Sequence, residues 1–118
     1  MPRDDRFIEF VKEQTAILGE ITSRIMFGGA CLYCDGLVFA LVADGAVFLK
    51  ADKQSVAEFQ QRGLKPFKPF PDRDVTMSYY ESPPEIFEDG EALRHWCGLA
   101  LEASRRAAKP KKKRKAKK

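Results

Sequence analysis

The sequence predicts an α+β domain of two layers, with helices packed on an antiparallel sheet. Three observations carry that prediction. Two Asp-Gly pairs, Asp35-Gly36 and Asp44-Gly45, bracket the continuous apolar run LVFALVA. Asp-Gly is favoured chemistry for a two-residue hairpin, because both central positions take positive φ. An apolar stripe at helical spacing precedes this block, and another closes the chain just before a run of lysines.

The elements follow in order. Asp4 and Asp5 stand as caps for a helix beginning near Arg6. Phe7, Phe10, Val11, Ile17 and Leu18 form its apolar stripe, which ends at Gly19, while Glu9, Lys12 and Glu13 make a solvated face. From Arg24 the texture turns to β, and two tight turns join three short apolar runs into a meander. The middle run, Leu37 to Ala43, is apolar on both faces and is expected to be central or covered on both sides. Asp52 caps a short helix from Ser55 to Arg62, closed by Gly63. LKPFKPFP is strand-like, but Pro66 and Pro69 make it an edge or irregular strand. VTMSYY, Val75 to Tyr80, is a β segment, and Pro83-Pro84-Glu85 suits the first turn of a helix. Leu93, Trp96, Cys97, Ala100, Leu101 and Ser104 mark an amphipathic helix from about Gly90 to Ala107. The predicted order is α-β(3)-α-β(2)-α.

The totals set the frame. A chain of 118 residues makes one domain, and 44% hydrophobic residues with nine Phe make a real core. No run approaches the roughly 20 apolar residues that span a bilayer. MPRDDRFIEF carries acids where a signal peptide has a basic start and an apolar run. Three cysteines are an odd number, which fits reduced thiols in a cytoplasm better than a disulfide framework. The net charge of +4 hides a segregation: KPKKKRKAKK, Lys109 to Lys118, holds eight cations and no acid. Removing those eight from 21 Lys+Arg leaves 13 against all 17 acids, so the body is −4 and the tail +8. The expected division is a folded domain over 1–107 and a disordered basic tail over 108–118, the only strong attraction for polyanions in the chain.

Several residues invite chemistry. Gly28-Gly29 lacks the spacing and the Gly-Lys-Ser/Thr ending of a phosphate loop, and a strand follows it, so a bulge or a close backbone approach is expected. Cys31 and Cys34 form C-x-x-C, but on a strand positions three apart point to opposite faces. A second ligand pair is missing as well, because His95 and Cys97 diverge by about 200° on a helix. His95 falls on the solvated face with Glu91 and Glu102 and is expected to be an exposed polar residue. Tyr79 and Tyr80 face opposite sides of their strand, one toward the core and one toward a surface. With Phe67, Phe70 and Pro83 they complete a small core or, as the weaker reading, line a partner groove. No catalytic, cofactor-binding or metal-binding residue is assigned.

RIMFGGACLYCDGLVFALVADGAVFLKAD, Arg24 to Asp52, closely resembles the start of the TfoX N-terminal domain, from the bacterial competence-regulator family also called Sxy. Phe59, Gly63 and Pro66-Phe67 continue the likeness, and MSYYESPPEIFED (Met77 to Asp89) with Trp96 resembles its second signature. The resemblance covers roughly Phe7 to Ser104. It implies an α-β(3)-α-β(2)-α fold similar to that of secretion chaperones and a bacterial cytoplasmic protein, and it brings no catalytic residues. Full-length competence regulators continue into a helical second domain, where this sequence has lysines. The resulting expectation is a non-enzymatic regulatory or interaction module. Its tail residues Lys109, Lys111, Lys112, Lys113, Arg114, Lys115, Lys117 and Lys118 would bind DNA or RNA without base readout, placing the protein near the nucleoid. PKKKRK also reads as a nuclear import signal, which the bacterial resemblance discounts. One alternative is a chaperone-like or structural domain for an unknown protein partner, dimeric through sheet or helix surface, with a solubilising tail. The other is a small-ligand enzyme with a pocket on the sheet floor.

Overall fold

The computed structural model describes residues 5–26, 29–43, 45–67 and 78–116, and of residue 26 and residues 109–116 the backbone only. Helix α1 spans Asp5–Thr15 and runs into a 3-10 turn, Ala16–Leu18. Strands β1 (Ile21–Met26), β2 (Gly29–Cys34), β3 (Leu37–Ala43) and β4 (Ala46–Lys50) follow. Helix α2 (Val56–Gln61), strand β5 (Tyr79–Glu81) and helix α3 (Gly90–Ala116) complete the order. The sheet is antiparallel and its spatial order is the chain order, β1 to β5. This is the two-layer α+β class that the sequence predicts.

The strand count differs from the prediction. Four strands, not three, precede α2, because the stretch from Ile21 to Cys34 folds on itself, with Met26 paired to Gly29. Residues 27–28, and Gly28 with them, lie outside the described residues. No Asp-Gly pair marks this hairpin, and Thr22, Ser23 and Arg24 hide β1 among polar residues. The marked turn at Asp35-Gly36 does have positive φ at both positions, +50° and +85°. At the second marked turn Gly45 has φ +72°, and Asp44 is not among the described residues. After α2 the expected strand from Leu64 reduces to a single bridge between Pro66 and Tyr80. Phe67 N–H donates to the Tyr79 carbonyl (2.7 Å), and Glu81 N–H donates to that of Lys65 (2.9 Å). These bonds flank the Pro66–Tyr80 pair, so Pro66 sits at a non-bonded position where its missing N–H faces away from β5. Pro69, Phe70 and the Val75–Met77 part of the expected second strand lie outside the described residues.

The helix ends also repay comparison. Asp4 lies outside the described residues, and α1 begins at Asp5. Its buried positions are Ile8, Val11 and Thr15, spaced 3 and 4 apart, while Phe10 and Ile17 of the expected stripe are 41% and 59% exposed. Thr15 is buried because its hydroxyl donates to the Val11 carbonyl at 2.8 Å. Phe10 instead lies edge-on against Phe87, with ring centroids 5.3 Å apart. Pro84 to Glu88 form a short turn with helical hydrogen bonding, set apart from α3, in which Ile86 N–H donates to the Pro83 carbonyl and Asp89 N–H to the Glu85 carbonyl, both at 3.1 Å. Asp89 then caps α3, its Oδ1 accepting the Glu91 N–H at 3.0 Å. The backbone of α3 runs on to Ala116, past Ala107, where the sequence reading ends this helix. The boundary between domain and tail therefore stays a compositional expectation.

Helices and sheet close over one main core. On the sheet side it takes Ala30, Leu32, Cys34, Phe39, Ala40, Val42, Val47 and Leu49. From above come Ile8 and Val11 of α1, Phe59 of α2, and Leu93, Trp96, Cys97, Ala100 and Leu101 of α3. The α3 stripe is buried throughout, as its spacing predicts. The opposite face of the sheet carries a smaller cluster of Cys31, Leu41, Ala43, Phe67 and Tyr79. Strand β3 is thus central and buried on both faces, as its unbroken apolar run requires. Between Leu32↔Ala40 and Tyr33↔Val38 the ladder skips Phe39, a β-bulge that sends this ring into the main core with no exposure.

Gly29 shows how tightly this sheet is drawn. A Cβ there would fall onto the Val42 carbonyl oxygen, with the Val42 carbonyl carbon 3.0 Å away and the Ala43 Cα 3.2 Å away. Gly29 of the Gly-Gly pair therefore serves a close backbone approach, the structural reading of the motif. Gly29→Ala is expected to cost roughly 3 kcal/mol, because backbone on both sides must move. Gly36→Ala, with open space but φ +85°, should cost only about 1 kcal/mol. Urea midpoints of the two variants check the ranking.

Candidate interaction surface

Side-chain ties between elements gather where α2, α3 and the turns after β5 meet. Helix α2 is too short to hold itself, so its ends are tied down. Asp52 Oδ1 accepts the N–H groups of Gln54 and Ser55, both at 3.1 Å, while the Asp52 N–H donates to Ser55 Oγ at 3.0 Å. At the other end Gly63, at φ +73°, lets the Leu64 N–H reach back to the Phe59 carbonyl at 3.0 Å. The Asp52 carboxylate also accepts two bonds from Arg106 of α3, at 2.7 and 2.9 Å. This fork holds the Asp52 carboxyl down to about 2 from its ordinary 3.8, the Arg106 hydrogen bond being the largest cause.

Beneath this end of the domain Phe59 is the hub. Its ring lies 5.1 Å from Trp96, edge to face, and 5.6 Å from Tyr80. A charged rim stands around Trp96. Arg62 sits over the indole at 5.8 Å and forks onto Glu85 at 2.9 and 3.1 Å. That bond raises the Arg62 pKa and lowers the Glu85 pKa. On the other side His95 packs edge-on against Trp96, and its Nε2 lies 2.7 Å from Glu58 Oε2. His95 is half exposed, as the sequence predicts, but its partner comes from α2, 37 positions away. Arg62 with Glu85 and His95 with Glu58 thus flank Trp96 as two side-chain pairs.

The other sequence candidates fall apart in space. Cys31 lies in the smaller cluster and Cys34 in the main core, on opposite faces as the alternation requires. Cys34 and Cys97 both lie in the main core, and all three cysteines are buried outside any disulfide. Burial pushes the Cys97 thiol up to about 12 and raises those of Cys31 and Cys34 as well. Among the described residues no group of three or more His, Cys, Asp or Glu is placed to hold a metal ion. Tyr79 and Tyr80 do face opposite sides, but both sides are apolar: Tyr79 joins the smaller cluster and Tyr80 packs on the main core. Burial takes the Tyr79 hydroxyl up to about 12. Phe67 packs on Phe48 at 4.8 Å and Pro83 is fully buried, so these rings belong to cores; Phe70 lies outside the described residues. The side chains of Lys109, Lys111, Lys112, Lys113, Arg114 and Lys115, together with Lys117 and Lys118, also lie outside the described ones. No helix among the described residues is long and apolar enough to cross a membrane.

A five-stranded antiparallel meander covered by helices on one face, with buried thiols, defines a small α+β domain. The chain belongs to the TfoX N-terminal domain family, whose profile it matches over residues 13–104. It is 32% identical over 85 residues to DNA transformation protein TfoX1 of Aliivibrio fischeri, an alignment covering 72% of this chain and 39% of that protein. It is 30% identical over 95 residues to protein Sxy of Escherichia coli, covering 79% of this chain and 45% of that protein. The chain thus spans less than half the length of these relatives, and neither is named as an enzyme.

Two outcomes follow from the ties just described. Asp52→Asn should lose about 1 kcal/mol at pH 7, since the pair is about a third exposed and partly screened by water. The folded carboxyl titrates below the unfolded one, so its contribution is full above 3.8 and is lost as pH falls through about 2. The stability gap between native chain and variant should close over that window in urea titrations. The thiols give the second outcome: none should react with Ellman's reagent within minutes in the folded protein at pH 8, and all should react on denaturation.

Proposed function

We propose that the chain is a non-enzymatic regulatory module of the TfoX N-terminal type, which recognises a protein partner through its folded surface and nucleic acid through its basic tail. The observation that carries the reading is the segregation of charge on a domain of this family: −4 over residues 1–108 and +8 over the last ten. An acidic body is repelled by polyphosphate, so the lysines set where the module resides and leave the fold free to choose its partner. Lys111, Lys112, Lys113, Arg114 and Lys115, flanked by Lys109, Lys117 and Lys118, contact phosphates and read no bases. A regulatory part in DNA transformation is the role that the name of the Aliivibrio fischeri relative suggests for this module. The protein works in the bacterial cytoplasm under this reading, close to the nucleoid.

The test is a salt titration of duplex DNA binding by the full chain and by a full-length variant with Lys111, Lys112, Lys113, Arg114 and Lys115 changed to Gln. The full chain should bind with a slope of log K on log salt near −7, about 0.9 for each of roughly eight phosphates. The variant should lose more than half of that slope. Equal binding by the two would sink the tail mechanism. No binding by either at about 0.15 M salt would leave the tail as a solubilising appendage on a protein-binding domain.

A further inference from the structure

The two edges of the sheet are not alike. At β5 the edge is closed by the Lys65–Phe67 segment, which lays Pro66 against Tyr80. At β1 it is open. Strand β1, ITSRIM, has no proline and no bulge and carries one charge, Arg24, so it lacks most of the devices that keep sheet edges from pairing. Thr22, Arg24 and Ile25 are exposed, Ile25 by 57%. We infer that this edge is the seam of a homodimer, in which β1 pairs antiparallel with β1 of a second copy about a two-fold axis at Ser23.

Hydrogen-bond parity fixes that register. The Asp35 N–H donates to the Glu20 carbonyl at 2.9 Å, and Glu20 and Asp35 extend the β1–β2 pairing by one step. In an antiparallel ladder bonded and non-bonded pairs alternate. The even residues of β1 therefore turn their backbone groups toward β2, and Ile21, Ser23 and Ile25 turn theirs toward the free edge. Outside the strand ladders, none of the three makes a backbone bond among the described residues. An axis at Ser23 sets Ser23 against Ser23 of the partner subunit and Ile25 against Ile21 of the partner subunit, and uses both bonds of every outward-facing pair. Moving the axis to Ile21 runs the pairing into Gly19, at φ +152°, and moving it to Ile25 runs it past the hairpin at Met26. No other centre keeps all three pairs within the strand.

The side chains agree with the backbone. Ile25, exposed in one copy, is covered by Ile21 of the partner subunit on the same face, a cross-strand aliphatic pair. On the other face Arg24 lies directly across from Thr22 of the partner subunit and diagonally from Glu20 of the partner subunit. A diagonal is within reach of two long side chains. Among the described residues neither Arg24 nor Glu20 takes part in an ion pair within the chain, whereas Glu9, Asp52, Glu58, Glu85 and Glu102 each have a basic partner. The two-fold axis makes this contact twice, and like charges meet only on the diagonal between Arg24 and Arg24 of the partner subunit, none directly opposite. A second copy is thus the occupant whose sequence matches the edge.

The experiment is the mass of the full chain in solution without nucleic acid, by sedimentation equilibrium or light scattering, so that the result is independent of what the tail binds. The native chain should approach twice 13.4 kDa with rising concentration. Ser23→Pro removes an N–H that the β1–β2 ladder does not use, so it should keep the melting curve cooperative and leave a monomer. Arg24→Glu sets Glu against Glu20 of the partner subunit and should weaken the dimer about tenfold. The exchange Glu20→Arg with Arg24→Glu should restore it. A native chain that stays monomeric at every concentration overturns the inference. So does a dimer that survives Ser23→Pro in a folded protein, or a charge exchange that restores nothing.

Discussion

The rest of the structure depends on one requirement, that the strand Leu37–Ala43 be taken out of water on both faces. LVFALVA offers no polar side to solvent, so a sheet built around it needs neighbours at both edges and a cover on each surface. The strands β2 and β4 supply the edges, both through tight turns. Helix α3 supplies most of one cover, and it does so with small and large residues in alternation: Trp96 and Leu101 fill space, while Ala100 lets the helix approach. On the other surface Leu41 and Ala43 are buried with Cys31, Phe67 and Tyr79. The segment after α2 is drawn to that surface by Phe67, and its single proline bridge is a consequence of that packing. A sheet with one helical layer and one polar face would have been unstable with this strand at its centre.

What was legible in the sequence is what is decided locally. The Asp-Gly turns, the apolar face of α3, the cap at Asp52 and the opposed directions of Cys31 and Cys34 each follow from a few adjacent residues and a known periodicity. The β1–β2 hairpin escaped because an edge strand with one solvated side has polar residues in it, and ITSRIM does not read as a strand without its partner. The stripe of α1 was set one residue off for a related reason. Phe10 is the more hydrophobic residue, but Phe87, far along the chain, holds its ring at the rim, and Ile8 takes the buried place. The charged rim shows the limit most plainly. Glu58 and His95, or Asp52 and Arg106, are ordinary surface residues until the fold brings positions 37 and 54 apart into contact.

Charge and packing divide the work of the molecule between them. At the end where α2 meets α3 the folded part sets charged side chains in contact, Asp52–Arg106 and Glu58–His95 between elements, Arg62–Glu85 beside them and Glu102–Arg105 along α3. The tail has no acid with which to pair. A matched surface favours selective contact, because a wrong partner must break existing pairs without replacing them. An unmatched cationic run favours indiscriminate contact with any dense anion. The two behaviours are kept in one chain by separating them along its length, and Asp52–Arg106 stands at the border as the last described ion pair before the lysines.

The bulge at Phe39 has a consequence for how this strand varies in length. Val38 pairs with Tyr33 and Ala40 with Leu32, so the ladder would be regular if position 39 were absent. Elsewhere in a strand, adding or removing one residue reverses every later side chain and exchanges core for surface. At position 39 it reverses nothing, since the strand already holds one residue more than its ladder counts. In the terms of sequence alignment, this is the point in the core of the sheet where a gap leaves both faces in phase, and what changes is the presence of one phenyl ring beneath α3.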